Sequence, residues 1–345
     1  MAQRRIPVVI VAGFLGSGKT TMLNHLLRNS AGARIGVVVN DFGSINIDAM
    51  TVAGQVDSTV SLGNGCLCCA VDASGLDAML AKLAGPGSEI DVIVIEASGL
   101  AEPRDLIRLV LASECDRIEY GGLLEVVDAA EFTRTRARHP ELDQHLALAD
   151  LVVLNKTDRL DAGERAALLA VLEPIAVGTP LLPTAMGRID PELLFDRPRR
   201  PDRPEVPRQL SLTDLLREDH EECGHEHHLH AGYESIEFIS AEPLNPRRLM
   251  RFLDDRPGGL YRMKGVVYFG IPDHKQRFEL HTVGNFLRFH QSGWSPGEPR
   301  TTQLVLIGAG IDADALRSGL RACVETDPEA LAGNDMLPVL RYARG

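Results

Sequence analysis

Residues 13–20 read Gly-Phe-Leu-Gly-Ser-Gly-Lys-Thr, a glycine-rich run that ends in Lys-Thr. An apolar run at residues 8–11 precedes it, and a helical pattern at residues 20–28 follows it. In the order strand, glycine-rich turn and helix, the N–H groups of the turn and the helix N-terminus can surround phosphate groups. We therefore predict a phosphate-binding loop; a glycine-rich turn without a ligand is the alternative.

The loop residues have different predicted roles. Side chains at Gly16 or Gly18 would obstruct the approach of the backbone to phosphate, and Gly13 opens the motif. Lys19 supplies a positive charge to the β- and γ-phosphates, and the Thr20 hydroxyl is a candidate Mg²⁺ ligand. Lys19 and Thr20 are therefore predicted both to bind the nucleotide and to assist catalysis.

Short β-branched runs alternate with helical patterns over residues 6–185. Strands are predicted at residues 8–11, 35–39, 92–95, 123–127 and 151–154, and crossover helices at 20–28, 76–83, 103–111 and 164–172. Continuous apolar runs are typical of strands buried on both faces of a parallel sheet. The predicted fold class is α/β, a P-loop NTPase domain with a mostly parallel sheet, plus a small α+β C-terminal domain.

The tetrapeptide at residues 155–158, Asn-Lys-Thr-Asp, follows an apolar strand and so lies on the same edge of the sheet as the phosphate loop. The Asp158 carboxylate can accept hydrogen bonds from the ring N–H and the amino group of guanine, which adenine does not present. Asn155 and Lys156 complete the predicted base site, with Lys156 covering the base. The sequence therefore favours GTP and GDP over adenine nucleotides.

Two acidic residues at strand ends are candidates near the γ-phosphate. Glu96 ends the strand at residues 91–95, where a carboxylate can hold Mg²⁺ or orient the attacking water; a solvated strand-end carboxylate is the alternative. Asp41 follows the strand at residues 35–39, and a turn-forming role is its alternative. The predicted catalytic residues are Lys19, Thr20, Glu96 and Asp41.

Three cysteines, Cys66, Cys68 and Cys69, lie within four residues, after two glycines at positions 63 and 65. Thiolates bind Zn²⁺ strongly, and three sulfurs leave one corner of a tetrahedron open, so the ion can pass to another protein by ligand exchange. Co²⁺ accepts the same donors and stays an open alternative. Buried or redox-active cysteines without a stable metal are the other interpretation.

A histidine-rich tract at residues 220–230 is a second candidate metal site. Its candidate ligands are His225, His227, His228 and His230. Imidazoles bind transition metals, but this loose spacing fixes no geometry, so a solvated acidic linker is the alternative. If the tract binds metal, we expect weak capture that supplies the cysteine site.

The chain divides near a proline-rich charged stretch at residues 197–204, which can pack neither as a strand nor as a helix. We predict a P-loop GTPase domain at residues 1–196, a Pro-rich and His-rich linker at 197–232 and a C-terminal domain at 233–345. In that last part, strands are predicted at residues 236–239, 265–269, 277–282 and 304–307, and helices at 246–253 and 313–323.

Composition excludes some classes of partner. The net charge of −12 provides no general basic surface, which argues against nucleic acid as a ligand. The apolar run near the N-terminus leads directly into the phosphate loop, and no stretch reaches the roughly 18 apolar residues of a membrane span. Six cysteines without a disulfide pattern fit a reducing cytoplasm.

With GFLGSGKTT at residues 13–21, GNGCLCC at 63–69, EASGLAEP at 96–103 and NKTD at 155–158 in order, the chain resembles the CobW-type GTPases. These are relatives of the hydrogenase and urease nickel-insertion GTPases. The sequences at residues 262–265, 293–294 and 304–308 resemble the small carboxy-terminal domain of that family. The resemblance adds Ser17 and Thr21 to the phosphate ligands. It also gives Asn155, Lys156 and Asp158 to the base, and Cys66, Cys68 and Cys69 to a transferred metal.

The resemblance implies a GTP-hydrolysing metallochaperone that delivers Zn²⁺, or in some members cobalt or iron, to client metalloproteins. One departure is Asn-Asp-Phe-Gly-Ser at residues 40–44, where the family commonly has Asn-Glu-Phe-Gly-Glu, so the fourth metal ligand stays unassigned. The client is unidentified, and a homodimer is left open. The rival hypotheses are a nucleotide-regulated metal reservoir without client transfer and a P-loop small-molecule kinase.

Overall fold

The computed structural model describes residues 5–30, 32–39, 59–61, 73–99, 101–195, 233–271, 273–327 and 331–344. These residues form two sheets with helices packed on them. The elements of the first part are β1 Ile6–Ala12, α1 Lys19–Arg28, β2 Ile35–Val39, β3 Thr59–Ser61, α2 Ala73–Leu83, β4 Val92–Glu96, α3 Pro103–Ala112, β5 Ile118–Asp128, α4 Phe132–Arg138, α5 Leu142–Leu148, β6 Leu151–Asn155, α6 Ala162–Leu172, β7 Leu181–Pro183 and α7 Pro191–Leu194. The elements of the second part are β8 Glu234–Ser240, α8 Pro246–Asp254, β9 Leu260–Val267, β10 Arg277–Val283, β11 Phe286–Ser292, β12 Thr302–Gly308, α9 Ala313–Ala322, α10 Leu337–Leu340 and β13 Ala343–Arg344.

The first sheet has seven strands in the order β3-β2-β4-β1-β5-β6-β7, and every neighbouring pair is parallel. The carboxyl ends of all seven strands therefore meet at one edge of the sheet. The phosphate loop follows β1 at that edge, and the segments after β4, β5, β6 and β7 lie beside it. The predicted P-loop α/β class is confirmed.

Both faces of this sheet are buried, which explains the continuous apolar strands. In β1, Val9 and Val11 belong to one hydrophobic cluster, whereas Val8 and Ile10 belong to the cluster on the opposite face. All four side chains are fully buried. Because side chains alternate between faces along a strand, a strand covered by helices on both sides needs an apolar residue at every position.

The second sheet has six strands in the order β13-β11-β10-β9-β12-β8. Its pairs are antiparallel except for β11 with β13. Leu249 and Leu253 of α8 and Leu316 and Leu320 of α9 are buried in the cluster that covers it. The predicted α+β character is confirmed; the domain limits themselves stay a prediction, because residues 196–232 lie outside the described part of the chain.

The two parts share a buried interface along the first half of β5. The Tyr261 hydroxyl of β9 donates to the carbonyl oxygen of Gly121 at 3.4 Å, and His281 Nε2 of β10 lies 3.1 Å from the carbonyl oxygen of Tyr120. Tyr261 is 1% exposed and belongs to the same hydrophobic cluster as β1 and α1. The same strand therefore contacts the second sheet at its start and reaches the nucleotide edge at its end.

Sequence patterns misplaced the start of β5. The strand begins at Ile118, whereas the sequence pattern predicted residue 123. The prediction began too late because the glycines at 121 and 122 look like strand breakers. Gly122 has φ 112°, and a Cβ there would lie 2.6 Å from a side-chain carbon of Val283. The pairing with β1 also shifts register between Val8 and Val9. The glycine therefore marks an irregular strand on which the second sheet packs closely.

Two further differences concern strands of the second sheet. The strand expected at residues 265–269 is β9, Leu260–Val267, and β11, Phe286–Ser292, was not predicted. Side chains of β11 are mostly half-buried, so its sequence lacks a strong apolar alternation.

No described helix is long and apolar enough to span a bilayer.

Candidate nucleotide-binding site

Lys19 is the first residue of α1, and its side chain folds back over the phosphate loop. The ammonium donates to the carbonyl oxygen of Gly13 at 2.9 Å and to that of Phe14 at 3.3 Å. Only 9% of Lys19 is exposed. The loop thus holds a positive charge within its own curve, at the N-terminus of a helix, where both features attract an anion.

Gly18 lies against Asn155, whereas the sequence analysis explained this glycine by the approach of phosphate. A Cβ at this residue would lie 2.2 Å from Nδ2 of Asn155, and its φ of 103° is in the left-handed region. That same Asn155 amide donates to the carbonyl oxygen of Ser17 at 2.8 Å. Glycine is therefore required here because the end of β6 packs directly on the loop.

Thr20 and Glu96 are brought together across the sheet edge. The Thr20 hydroxyl donates to Oε1 of Glu96 at 2.7 Å, although 76 residues separate them. Glu96 ends β4 and is 4% exposed. A hydroxyl and a carboxylate in contact are oxygen donors of the kind that Mg²⁺ prefers, so this pair fits the ion. Their roles as ligands stay predictions.

Lys156 links the base motif to the phosphate loop. Its ammonium donates to the carbonyl oxygen of Gly16 at 2.6 Å and to Oδ2 of Asp128 at 2.6 Å. Its backbone is left-handed, with φ 62°, an uncommon conformation for a residue with a side chain. The side chain of Lys156 therefore extends towards the loop, whereas its predicted position over the base stays a prediction. Asp128, at the end of β5, was missed; its position at a strand end was the available signal.

The loop after β7 contacts the predicted base motif and was also missed. Gly187 N donates to Oδ1 of Asn155 at 2.9 Å, and the hydroxyl of Thr157 donates to the carbonyl oxygen of Thr184 at 2.9 Å. Asp158 lies next to these contacts in a short 3₁₀ helix and is exposed. A carboxylate in that position can receive a ligand, although its contact with guanine stays a prediction. Only the brevity of β7 hid this loop from pattern analysis.

Glu125 is an acid buried in the middle of β5. It is 2% exposed, and its Oε2 has no hydrogen-bond partner among the described residues. Burial raises the pKa of Glu125 to about 8, although the nearby Lys19 ammonium opposes the shift. The sequence signal was an acid inside an apolar run, which is unusual in a strand buried on both faces.

We expect Glu125→Gln to remove a pH-dependent loss of stability. The unfolded chain releases this proton near pH 4.5, whereas the folded chain keeps it to about pH 8. The wild type therefore loses free energy of unfolding as pH rises between these values. Relative to it, the variant should gain on the order of 4 kcal/mol between pH 4 and pH 9.

Urea unfolding at pH 4, 6, 7 and 9 measures this difference. Glu237→Gln, at an exposed position of β8, is the matched control and should follow the wild type. Parallel pH curves for wild type and Glu125→Gln would contradict the argument.

Several predicted site residues lie outside the described part of the chain. These are Asp41, Cys66, Cys68, Cys69, His225, His227, His228 and His230. Within the described part, there is no group of three or more His, Cys, Asp or Glu residues arranged to hold a metal ion. The zinc predictions at the cysteines and the histidine tract therefore rest on the sequence alone.

Comparison with known proteins matches both parts of the chain. Residues 7–181 match the family described as "CobW/HypB/UreG, nucleotide-binding domain", and residues 233–324 match "Cobalamin synthesis protein cobW C-terminal domain". The chain is 30% identical over 365 residues to zinc chaperone CobW of Sinorhizobium sp, covering 93% of this chain and 98% of that protein. It is 32% identical over 371 residues to zinc chaperone CobW of Pseudomonas aeruginosa, covering 93% and 92%.

Among solved structures, the Zn(II)-bound YjiA GTPase from E. coli aligns with 93% of this chain and 100% of that one. The TM-score is 0.44 and the sequence identity is 22%.

Proposed function

Because the chain belongs to the CobW/HypB/UreG family, we propose that it is a GTP-hydrolysing metallochaperone that binds Zn²⁺ and delivers it to client metalloproteins. Its relatives named zinc chaperone CobW align over nearly their whole length. The observation that carries the nucleotide half of this proposal is the contact between Thr20 and Glu96 beside the buried Lys19. We place the protein in the cytoplasm, where its free thiols Cys115 and Cys323 stay reduced.

The described residues divide the work of nucleotide binding. Lys19 and the N-terminal N–H groups of α1 attract the phosphates. Thr20 and Glu96 would hold Mg²⁺, which neutralises charge on the β- and γ-phosphates when bound. Asp158 would accept the two guanine N–H donors, and Lys156 would lie against the base. The Asn155 amide donates to the carbonyl oxygen of Ser17 in the phosphate loop. This hydrogen bond joins the predicted base site to the predicted phosphate site.

The metal half of the proposal rests on sequence order. Cys66, Cys68 and Cys69 would bind the transferred Zn²⁺, and they lie between Asp41 and Glu96, the two acids expected near the γ-phosphate. Loss of the γ-phosphate on hydrolysis removes contacts to these segments. We infer that GTP favours a metal-holding arrangement of the cysteine segment and that hydrolysis favours release to the client. The same thiolates would accept Co²⁺.

Zinc affinity should therefore depend on the bound nucleotide. Allosteric coupling is typically about 5–150-fold, and we expect the Zn²⁺ dissociation constant to differ in this range between a non-hydrolysable GTP analogue and GDP. Competition with a chelating dye measures both constants on the same protein. Equal affinities in the two nucleotide states would remove the coupling from the proposal.

Two cysteine variants locate the ion in that experiment. Cys66→Ser should weaken Zn²⁺ binding by more than roughly tenfold, since it removes a thiolate ligand. Cys115→Ser makes the same change at a half-buried thiol outside the cluster and should bind Zn²⁺ as the wild type does. Similar losses in both variants would place the ion elsewhere.

A further inference from the structure

A cavity of about 370 Å³ lies beside the phosphate loop, between the loop, β5, α4 and α5. It shares Gly16, Ser17 and Lys156 with the predicted nucleotide site. The described residues that line it do not include Lys19, Thr20, Asp158 or the loop after β7. The cavity therefore adjoins the space expected for the nucleotide and extends beyond it towards α4 and α5.

The cavity has a polar floor with unused hydrogen-bonding capacity. Oε2 of Glu125 and Oγ of Ser17 are both buried and have no hydrogen-bond partner among the described residues. Glu125 is 2% exposed and Ser17 is 1% exposed. Two such oxygens, neither bonded to the other, represent a large desolvation cost unless a ligand or water contacts them.

The remaining charges at the cavity are already paired. Lys156 contacts Asp128 at 2.6 Å, and Arg134 contacts Glu131 at 2.5 Å on α4 and its N-terminal end. Each ion pair has no net charge. Glu125 is therefore the acid among the lining residues with which a cationic ligand would form an ion pair. An anion would find no unpaired positive charge among these lining residues.

The walls of the cavity are partly apolar. Five of the apolar side chains that line it are Phe14, Val126, Phe132, Leu142 and Leu146. All but Phe14 are almost fully buried. A concave apolar space with a few convergent polar atoms is the usual form of a small-molecule site.

We propose that this cavity binds a small primary amine, whose ammonium group donates to Glu125 and Ser17 and whose apolar body packs against the five wall residues. An ammonium has three donors and no acceptor, which matches two unpartnered acceptor oxygens. The raised pKa of Glu125 agrees with this assignment, because burial favours the protonated carboxyl and the nearby Lys19 ammonium offsets this effect only in part. A bound ammonium would allow the carboxyl to ionise.

Benzylamine is the probe, and benzyl alcohol is its uncharged analogue of similar shape. Each compound is titrated into the full-length protein, and calorimetry measures its affinity. We expect benzylamine to bind at least about tenfold more tightly than the alcohol, as an ion pair out of water adds more than a neutral hydrogen bond. Glu125→Gln should abolish that difference, and Glu237→Gln should preserve it. Attraction of a cation to an acidic protein in general would persist in both variants.

A second variant tests the walls independently of the acid. Thr135→Phe, at a half-buried position of α4 on the cavity wall, should weaken both probes at least tenfold by filling the space. The proposal is overturned if neither probe binds at millimolar concentration, if the amine and the alcohol bind equally, or if Glu125→Gln binds the amine undiminished.

Discussion

Asp158→Asn should reduce GTP affinity at least about 100-fold and create affinity for xanthosine triphosphate. The carboxylate would accept hydrogen bonds from the ring N–H and the amino group of guanine, whereas asparagine would present an NH₂ group to one of these donors and leave it unpaired. Xanthine has a carbonyl oxygen where guanine has the amino group, so the asparagine NH₂ can donate to it. Asp158 is exposed in a short 3₁₀ helix, and the substitution should not disturb the fold.

Fluorescent-nucleotide competition with GTP, ATP and xanthosine triphosphate measures this exchange of specificity. Asp255→Asn, at an exposed residue that follows α8, is the matched control and should keep the wild-type order. If Asp158→Asn still prefers GTP, the base is recognised by other groups and the guanine assignment is wrong.

Lys19→Met should lower the rate constant of GTP hydrolysis by roughly 100-fold or more, with loss of about 3 kcal/mol of transition-state stabilisation. The ammonium lies within the curve of the phosphate loop, bound to two loop carbonyls. There its charge would stabilise the negative charge that accumulates on the phosphates. Methionine keeps an unbranched stem of similar length, so the buried packing is largely retained.

Single-turnover hydrolysis with saturating nucleotide separates the rate from the affinity. Lys82→Met removes the same charge from an exposed position of α2 and should hydrolyse GTP at the wild-type rate. Unchanged hydrolysis in Lys19→Met would show that the loop binds phosphate without assisting the reaction.

Most of the first sheet could be predicted because its evidence is local. Five of its strands contain short apolar runs such as Val92–Glu96, and helical patterns between them specify crossovers. The three-residue strands β3 and β7 were not predicted, because runs this short carry no clear pattern. The phosphate motif fixed the order of strand, loop and helix. The family resemblance stated on these motifs is confirmed by matches that cover both parts of the chain.

The second sheet and its interface were harder, because their patterns depend on distant partners. Gly121 and Gly122 suggest a break, yet they continue β5 and accept the close approach of Tyr261 and Val283. His281 is 6% exposed at this interface, although a lone histidine gives no signal of burial in the sequence. Glu125 carries a signal, an acid in an apolar strand, but only the fold shows the cavity beside it.

The sequence by itself determined the chemistry of the phosphate loop and the base motif, since each lies within a few adjacent residues. Only the tertiary structure decided which distant groups meet there. Thr20 contacts Glu96 over 76 residues, and Lys156 contacts Gly16 over 140. The physical reason is that parallel strands bring their carboxyl ends to one edge regardless of separation along the chain. Packing of helices on both faces then fixes the order of the strands, and so which strand end lies beside the phosphate loop. No local sequence pattern contains the order of the strands.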